Sequence, residues 1–423
     1  MRILLAFILA GCAIAQQPRW VATWAFSPAP QLATDAEMRA ARLVFDNQTL
    51  RQFVRTSIGG ETARVRLSNV YGKDVLEIGE VRMALRDKAA NTVAGSDVAL
   101  TFSGRGAMAI PPGAVMISDP VKFSVPADGD VAISIFLPGT AAGAGIHYSA
   151  SATSYIGAGN QAAAAAFRQT TTVASWAFLA GLDVAGPETA GVIVTFGDSI
   201  TDGARSTADT NRRWPNFLAQ RLLAANMTDL AVVDSGIGGN RILHDPATAP
   251  NARYGVNALA RFERDVLAQP GARYVVILEG INDLGHPGSA TAPASEAVTA
   301  DDVIAGLKQM ADRAHEMGLK VIGATITPFG GYTAAGYYTP EKERYRVAIN
   351  QWIRTTDSND DYIDFEKVVQ DPEHPDKILA AYDSGDHLHP GDAGYKAMAE
   401  AIDLSMFQGP AAGAQGSRRR RFN

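Results

Sequence analysis

Two hydrophobic periods divide the chain. From Trp20 to about Val184 apolar and polar residues alternate at period two, as in Ala63-Arg64-Val65-Arg66-Leu67, Val81-Arg82-Met83 and Val131-Ala132-Ile133-Ser134-Ile135. Turn formers separate such runs at Gly59-Gly60, Pro111-Pro112-Gly113 and Asp128-Gly129-Asp130. Alternation sends one face of a strand into a core and the other into water. Residues 20–185 are therefore expected to form an antiparallel β-sandwich of jelly-roll-like type. The pattern changes at Val184-Ala185-Gly186-Pro187-Glu188. Beyond it, over residues 190–407, short apolar runs alternate with helical periodicity. Strands are expected at Val192–Phe196, Leu230–Asp234, Tyr274–Leu278, Val321–Ile326 and Tyr362–Phe365. Helices are expected at Arg213–Ala224, Asn257–Ala268, Asp301–Met317, Pro340–Arg354 and Asp392–Met406. Such alternation predicts an α/β unit whose parallel sheet is covered by helices on both faces.

The candidate chemistry lies at the ends of these strands. Gly197-Asp198-Ser199-Ile200-Thr201 follows the run Val192-Ile193-Val194, which places Ser199 at a strand-to-helix turn. Open α/β sheets put reacting groups outside the carboxyl ends of their strands. Gly236-Ile237-Gly238-Gly239-Asn240 and Gly280-Ile281-Asn282-Asp283 follow two further expected strands, and Asp386-His387-Leu388-His389-Pro390 precedes the last helix. A serine hydroxyl is a poor nucleophile unless a base lies within hydrogen-bond reach. His389 can be that base, since a free imidazole titrates near ~6.5. Asp386, three residues earlier, can hold the imidazole tautomer and stabilise the imidazolium. Attack on an ester builds charge on oxygen, which the N–H groups of Ser199 and Gly239 and the Asn282 amide could receive. A glycine at 239 would let backbone approach the substrate with no Cβ between them.

Taken together, the motifs resemble the SGNH, or GDSL-type, hydrolase superfamily, from about Val192 to Phe407. The resemblance implies a flavodoxin-like parallel sheet, Ser199, Asp386 and His389 as catalytic residues, and Ser199, Gly239 and Asn282 as the oxyanion hole. The start Trp20-Val21-Ala22-Thr23-Trp24 ahead of a sandwich is similar to a secreted subgroup acting on substituted polysaccharides. That resemblance implies a secreted carboxylic ester hydrolase removing short acyl groups, with O-acetylated plant glycan such as xylan as substrate. A feruloyl or aryl esterase and a lipase-like acylhydrolase are the enzymatic alternatives. A carbohydrate-binding protein with a relic hydrolase unit is the non-catalytic one, although Ser199, Asp386 and His389 are all present.

Among the other histidines, His387 abuts Asp386 and reads as a rim residue. His286 and His244 lie near motif loops and read as surface residues, while His147, His315 and His374 carry no motif. No histidine pair has metal-ligand spacing with a matching carboxylate, so neither a metal nor another cofactor is expected. Tyr332, Tyr337 and Tyr338 fall in a long loop after the fourth α/β strand, where rings could stack on a sugar or hold an aromatic acyl group.

A length of 423 residues favours more than one domain, and 47% hydrophobic residues suffice for a full core. The net charge of −6 argues against nucleic acid or anionic lipid as principal partner. Arg2, the apolar run Ile3–Ala10 and Ala13-Ile14-Ala15 have the form of a cleavable export signal over residues 1–15. A secreted or periplasmic protein is expected. Leu9-Ala10-Gly11-Cys12 also resembles a lipoprotein signal, and a membrane anchor is expected only if Cys12 is lipidated. Cys12 is the only cysteine, so stability must come from packing rather than from an internal disulfide. Residues 408–423, which include Arg418–Arg421, read as a disordered basic tail.

Overall fold

The computed structural model describes residues 19–247 and 249–408. The expected leader with Cys12, and the chain from residue 409 onward, lie outside the described residues.

The alternating half forms two large antiparallel sheets and a small two-stranded one, Leu76–Ile78 with Met108–Ile110. One large sheet runs in the order Arg19–Ala25, Leu179–Gly186, Gly60–Ser68, with Val115–Ile117 and Val121–Val125 both pairing Gly60–Ser68. The other large sheet runs Thr171–Val173, Ser154–Ala158, Val44–Arg55, Asp130–Ala142, Glu80–Leu85, Val98–Leu100. Their apolar positions, among them Val65, Leu67, Val184, Leu50, Ile133 and Met83, are buried in a common core. Full burial of such a side chain contributes about 1.5–3 kcal/mol. At Ala63, Arg64 and Val65 the alternation separates core from partly open positions, whereas along residues 131–135 both faces are buried, Ala132 joining a second cluster with Phe53, Ala84, Ala90, Tyr155 and Phe167.

Past the short turn closed by Ala190 N–H on Pro187 O (3.0 Å), the chain enters a parallel five-stranded sheet. Its order is Leu230–Gly236, Gly191–Gly197, Ala272–Leu278, Lys320–Ala324, Asp361–Ile363, all neighbours parallel. In chain order this is 2-1-3-4-5, the flavodoxin-like arrangement. Right-handed crossovers put the helix between the first two strands on one face and the later ones on the other. The packing agrees: Trp214–Ala224 lies against Asp392–Glu400, whereas Ala300–Glu316 lies against Ala258–Phe262 and Pro340–Thr355. The first strand lies beside both the second and the third. The loops leaving all three strands therefore converge at the switch point of the sheet, and they are the motif loops.

Several boundaries differ from expectation for local reasons. The helix from Asp392 stops at Glu400, and Leu404–Phe407 is a separate 3₁₀ turn. Asp403 breaks the run by accepting Ser405 N–H at 2.9 Å, an alternative to the helical bond. The fourth strand ends at Ala324, because Ile326 N–H goes to Asn350 Oδ1 at 2.7 Å. Phe365 opens a helix capped by Asp364 instead of ending a strand. Helix Ala258–Phe262 continues as a π-helical turn over Glu263–Leu267.

The antiparallel part covers the exposed edge of the parallel sheet. Ser57 Oγ accepts Val232 N–H at 2.7 Å, Ala22 N–H donates to Pro270 O at 2.9 Å, and Arg66 Nη2 donates to Gln269 Oε1 at 2.9 Å. An uncovered edge strand would leave such backbone groups open to pairing with another chain. One hydrophobic cluster runs from Val21 and Val184 through Ala190 into Val192, Val194 and Val232, so the two parts share a core.

Candidate functional site

At the end of the first parallel strand Asp198 caps the short helix Ser199–Asp202, its side chain accepting Ile200 N–H at 2.8 Å. Ser199 is the first residue of that helix, so its N–H belongs to the amides with no intrahelical acceptor. Its Oγ lies 2.8 Å from His389 Nε2. His389 Nδ1 lies 2.8 Å from Asp386 Oδ2, while Asp386 Oδ1 accepts the N–H groups of Leu388 (3.0 Å) and His389 (2.8 Å). Burial alone would raise the Asp386 carboxyl. The hydrogen bonds and charge of His389, with the Leu388 amide, outweigh burial and hold it well below the usual carboxylate range. The carboxylate thus stays ionised and fixes the ring with Nε2 toward the serine. Arg205 Nε, not anticipated from the sequence, also donates to Asp386 Oδ2 at 3.0 Å.

Gly239 and Asn282 come to the same cleft. Gly239 has φ +79°, and a Cβ there would meet the Tyr254 ring at 2.3 Å. Its own backbone and Tyr254 therefore already require glycine at this position. The Gly239 N–H has no hydrogen-bond partner among the described residues, whereas the neighbouring Gly238 N–H donates to Asp202 Oδ2 at 3.3 Å. Asn282, buried on helix Ile281–Gly285, receives the Tyr337 hydroxyl on Oδ1 at 2.8 Å. That bond turns its Nδ2 away from the tyrosine, and Nδ2 is a buried donor with no partner among the described residues. Leaving a buried donor unmade costs about 1–3 kcal/mol, and such a cost is typical of functional sites.

Beneath the loops Arg261 is fully buried and donates to Gly197 O, Ser235 O and Asn240 Oδ1, each at 2.8 Å. It thereby ties the first and second motif loops together. Its charge is met by Asp265 and Glu279. Asp283 pins the end of the second loop by accepting Ile242 N–H (2.7 Å) and Leu243 N–H (3.0 Å). Burial pushes its carboxyl up to about 6.

The cleft above Ser199 has a volume of about 610 Å³. Its walls include Tyr148, Tyr254, His286, Tyr332 and Tyr337. Tyr332 and Tyr337 meet edge to face at 4.8 Å. Of the three loop tyrosines expected at substrate, Tyr338 is not in the cleft: its ring packs on Phe329 and its hydroxyl donates to Asp376 Oδ2 at 2.9 Å. Tyr337 is buried against helix Ile281–Gly285, where a Cβ on Gly285 would strike its ring at 2.2 Å. Lys342 Nζ staples this loop down through Gly285 O (3.1 Å), Pro287 O (2.8 Å) and Gly336 O (2.6 Å).

The histidines sort differently from the sequence reading. His286 is not a surface residue; it is 6% exposed, with its ring between Tyr254 and Tyr337. Burial, helped by the charges of Arg241 and Lys342, lowers it to about 3, so it is a neutral wall. His387, with φ +64°, turns out to Asp383 and is half exposed. His147, which carried no motif, reaches the cleft from the antiparallel part. His244 stands apart, in a surface groove beside helix Ala300–Glu316. Among the described residues no group of three or more His, Cys, Asp or Glu side chains could hold a metal ion.

Residues 195–397 match the model of the GDSL-like lipase/acylhydrolase family. Similar solved structures include an acetylxylan esterase from Geobacillus stearothermophilus, at 21% identity over 53% of this chain and 97% of that one, TM-score 0.38. The aryl esterase of M. smegmatis is 18% identical over 50% of this chain and 96% of that one, TM-score 0.37. A GDSL-like lipase from Bacteroides thetaiotaomicron is 18% identical over 52% and 90%, TM-score 0.37. No curated protein matches the chain.

Proposed function

We propose that this chain, which belongs over residues 195–397 to the GDSL-like lipase/acylhydrolase family, is an exported serine esterase that removes short acyl groups through an acyl-enzyme. The observation that carries the reading is the line Ser199 Oγ, His389 Nε2, His389 Nδ1, Asp386 Oδ2, with both hydrogen bonds at 2.8 Å, beside the unpartnered Asn282 Nδ2. Ser199 Oγ attacks the ester carbonyl while its proton passes to His389 Nε2. The oxyanion is received by the N–H groups of Ser199 and Gly239 and by Asn282 Nδ2. Collapse expels the alcohol, which takes the proton from His389. Water then gives its proton to the same nitrogen, attacks the acyl carbon and releases the acid, restoring Ser199. Asp386 stabilises the imidazolium in both halves.

Asn282→Ala should lower kcat by about 10²–10³ with a smaller effect on KM, the signature of a donor used mainly in the transition state. Tyr337→Phe keeps the ring and frees Asn282 Oδ1, so it should cost less, about tenfold in kcat, by loosening the amide rather than removing it. Steady-state kinetics of the two variants on one ester checks both. An equal loss in each would assign Tyr337 a part beyond orienting Asn282.

The cleft is lined by Gly238, Gly239 and Asn282 and by Tyr148, Tyr254, Tyr332 and Tyr337, and Gly238 lies close to Ser199. Such a lining suits a small acyl group and a ring-shaped alcohol, and supports an O-acetylated polysaccharide or oligosaccharide, such as acetylated xylan, as substrate. The same rings favour an aryl acyl group as the second reading. Comparing kcat/KM for acetyl, butyryl, octanoyl and feruloyl esters of one leaving group separates them. Discrimination per methylene is ~1–3 kcal/mol in a confined pocket, so acetyl should lead by a steep margin. Faster turnover of feruloyl would favour the aryl esterase, and of octanoyl the lipase-like enzyme.

A further inference from the structure

His147 lies in the antiparallel part, between strands Asp130–Ala142 and Ser154–Ala158. Its backbone exchanges two hydrogen bonds with Trp176, at 2.9 and 3.0 Å, and its ring packs against Phe26 and Trp176. It is 4% exposed. Its Nδ1 is 3.1 Å from Ser27 O, still within the antiparallel part, while Nε2 crosses to the parallel-sheet part and lies 2.8 Å from Asp202 Oδ1. Asp202 ends the one-turn helix that Ser199 begins, and is itself 3% exposed. Its other oxygen, Oδ2, accepts the Gly238 N–H at 3.3 Å. Gly238 lies so close that a Cβ on it would stand 3.9 Å from Ser199 Cβ.

The protons follow from the partners. A backbone carbonyl only accepts, so Nδ1 carries a hydrogen. Wherever the Asp202 oxygen accepts, Nε2 carries a hydrogen as well, and the ring is then an imidazolium. Burial works against this imidazolium, but the charge and hydrogen bond of Asp202, with Ser27 O, outweigh it and raise His147 above its ordinary value; Arg213 nearby pulls the other way. A buried ion pair is a poor source of stability, because desolvation offsets most of the attraction. It is good at holding geometry.

We infer that His147 is a positioning residue of the hydrolytic site, supplied by the antiparallel part: through Asp202 it fixes Gly238, and with it the Gly239 N–H, against Ser199. This rests on the serine-esterase reading above. It gives the antiparallel sheets a part in turnover beyond covering the sheet edge. Misplacing a reacting or receiving group by about 1 Å can cost 10²-fold in rate, so removal of the link should lower kcat while substrate still binds.

The test uses the full chain, with every variant's concentration set by the burst of acyl-enzyme formation on p-nitrophenyl acetate. His147→Gln, Asp202→Asn and the double variant should each lose about 10–100-fold in kcat per titrated serine, with KM within threefold. The double variant should be no worse than the poorer single one, because all three break the same link. Asp202→Asn is nearly isosteric and remains informative if His147→Gln does not fold. A role confined to stability would lower the melting temperature and the titrated fraction but leave kcat per titrated serine within twofold, and that result would overturn the inference. Multiplicative losses in the double variant would overturn it too. Absence of both burst and turnover in the wild type would instead defeat the esterase reading on which it stands.

Discussion

Replacing Ser199 by alanine should abolish ester turnover, by about 10⁴–10⁶ in kcat, the usual cost of losing a triad nucleophile. The fold should survive. The cap of helix Ser199–Asp202 is made by the Asp198 carboxylate, not by Ser199, and the substitution removes the hydroxyl's hydrogen bond to His389. His389 borders the open cleft, so water can take the vacated place on Nε2, and the stability change should stay within about 1 kcal/mol. Circular dichroism and a melting curve beside the kinetics separate the two effects. Turnover persisting in a folded Ser199→Ala variant would end the account.

His389→Ala should be nearly as damaging, and His387→Ala should cost less than about threefold. The two residues differ only by position. His389 Nε2 faces Ser199 and Nδ1 faces Asp386, while His387 turns outward to Asp383. Without His387, Asp383 still accepts Gly385 N–H at 2.9 Å and the residue-387 N–H at 3.0 Å, so the loop keeps its shape. A dead His387→Ala beside an active His389→Ala would shift the base by two residues.

Much of this was legible in the sequence because it is local. Period-two alternation around Val65 and Ile133 marked the antiparallel strands, and strand–helix alternation after Pro187 marked the parallel sheet. A chain of strands 2-1-3 brings the first three C-terminal loops together, so motifs at the ends of those strands had to meet. Asp386 and His389 are three apart and share one turn. What escaped was set by distance along the chain. His147 and Asp202 are separated by 55 positions, and nothing in the stretch Ile146-His147-Tyr148 marks a partner. Arg261 reads as one more charged helix residue until the sheet places it beneath Gly197 and Asn240. His286 looked exposed because its neighbours are turn residues; Tyr254 and Tyr337, which bury it, come from other loops. Tyr337 and Tyr338 are adjacent, yet only the first turns to Asn282.

Covalent trapping reads out whether Ser199 is the nucleophile. The full chain treated with a fluorophosphonate should gain one adduct by intact mass, lose activity in proportion, and carry the label on Ser199 after digestion and peptide mapping. A label on another residue, or full activity after stoichiometric labelling of Ser199, would contradict the account.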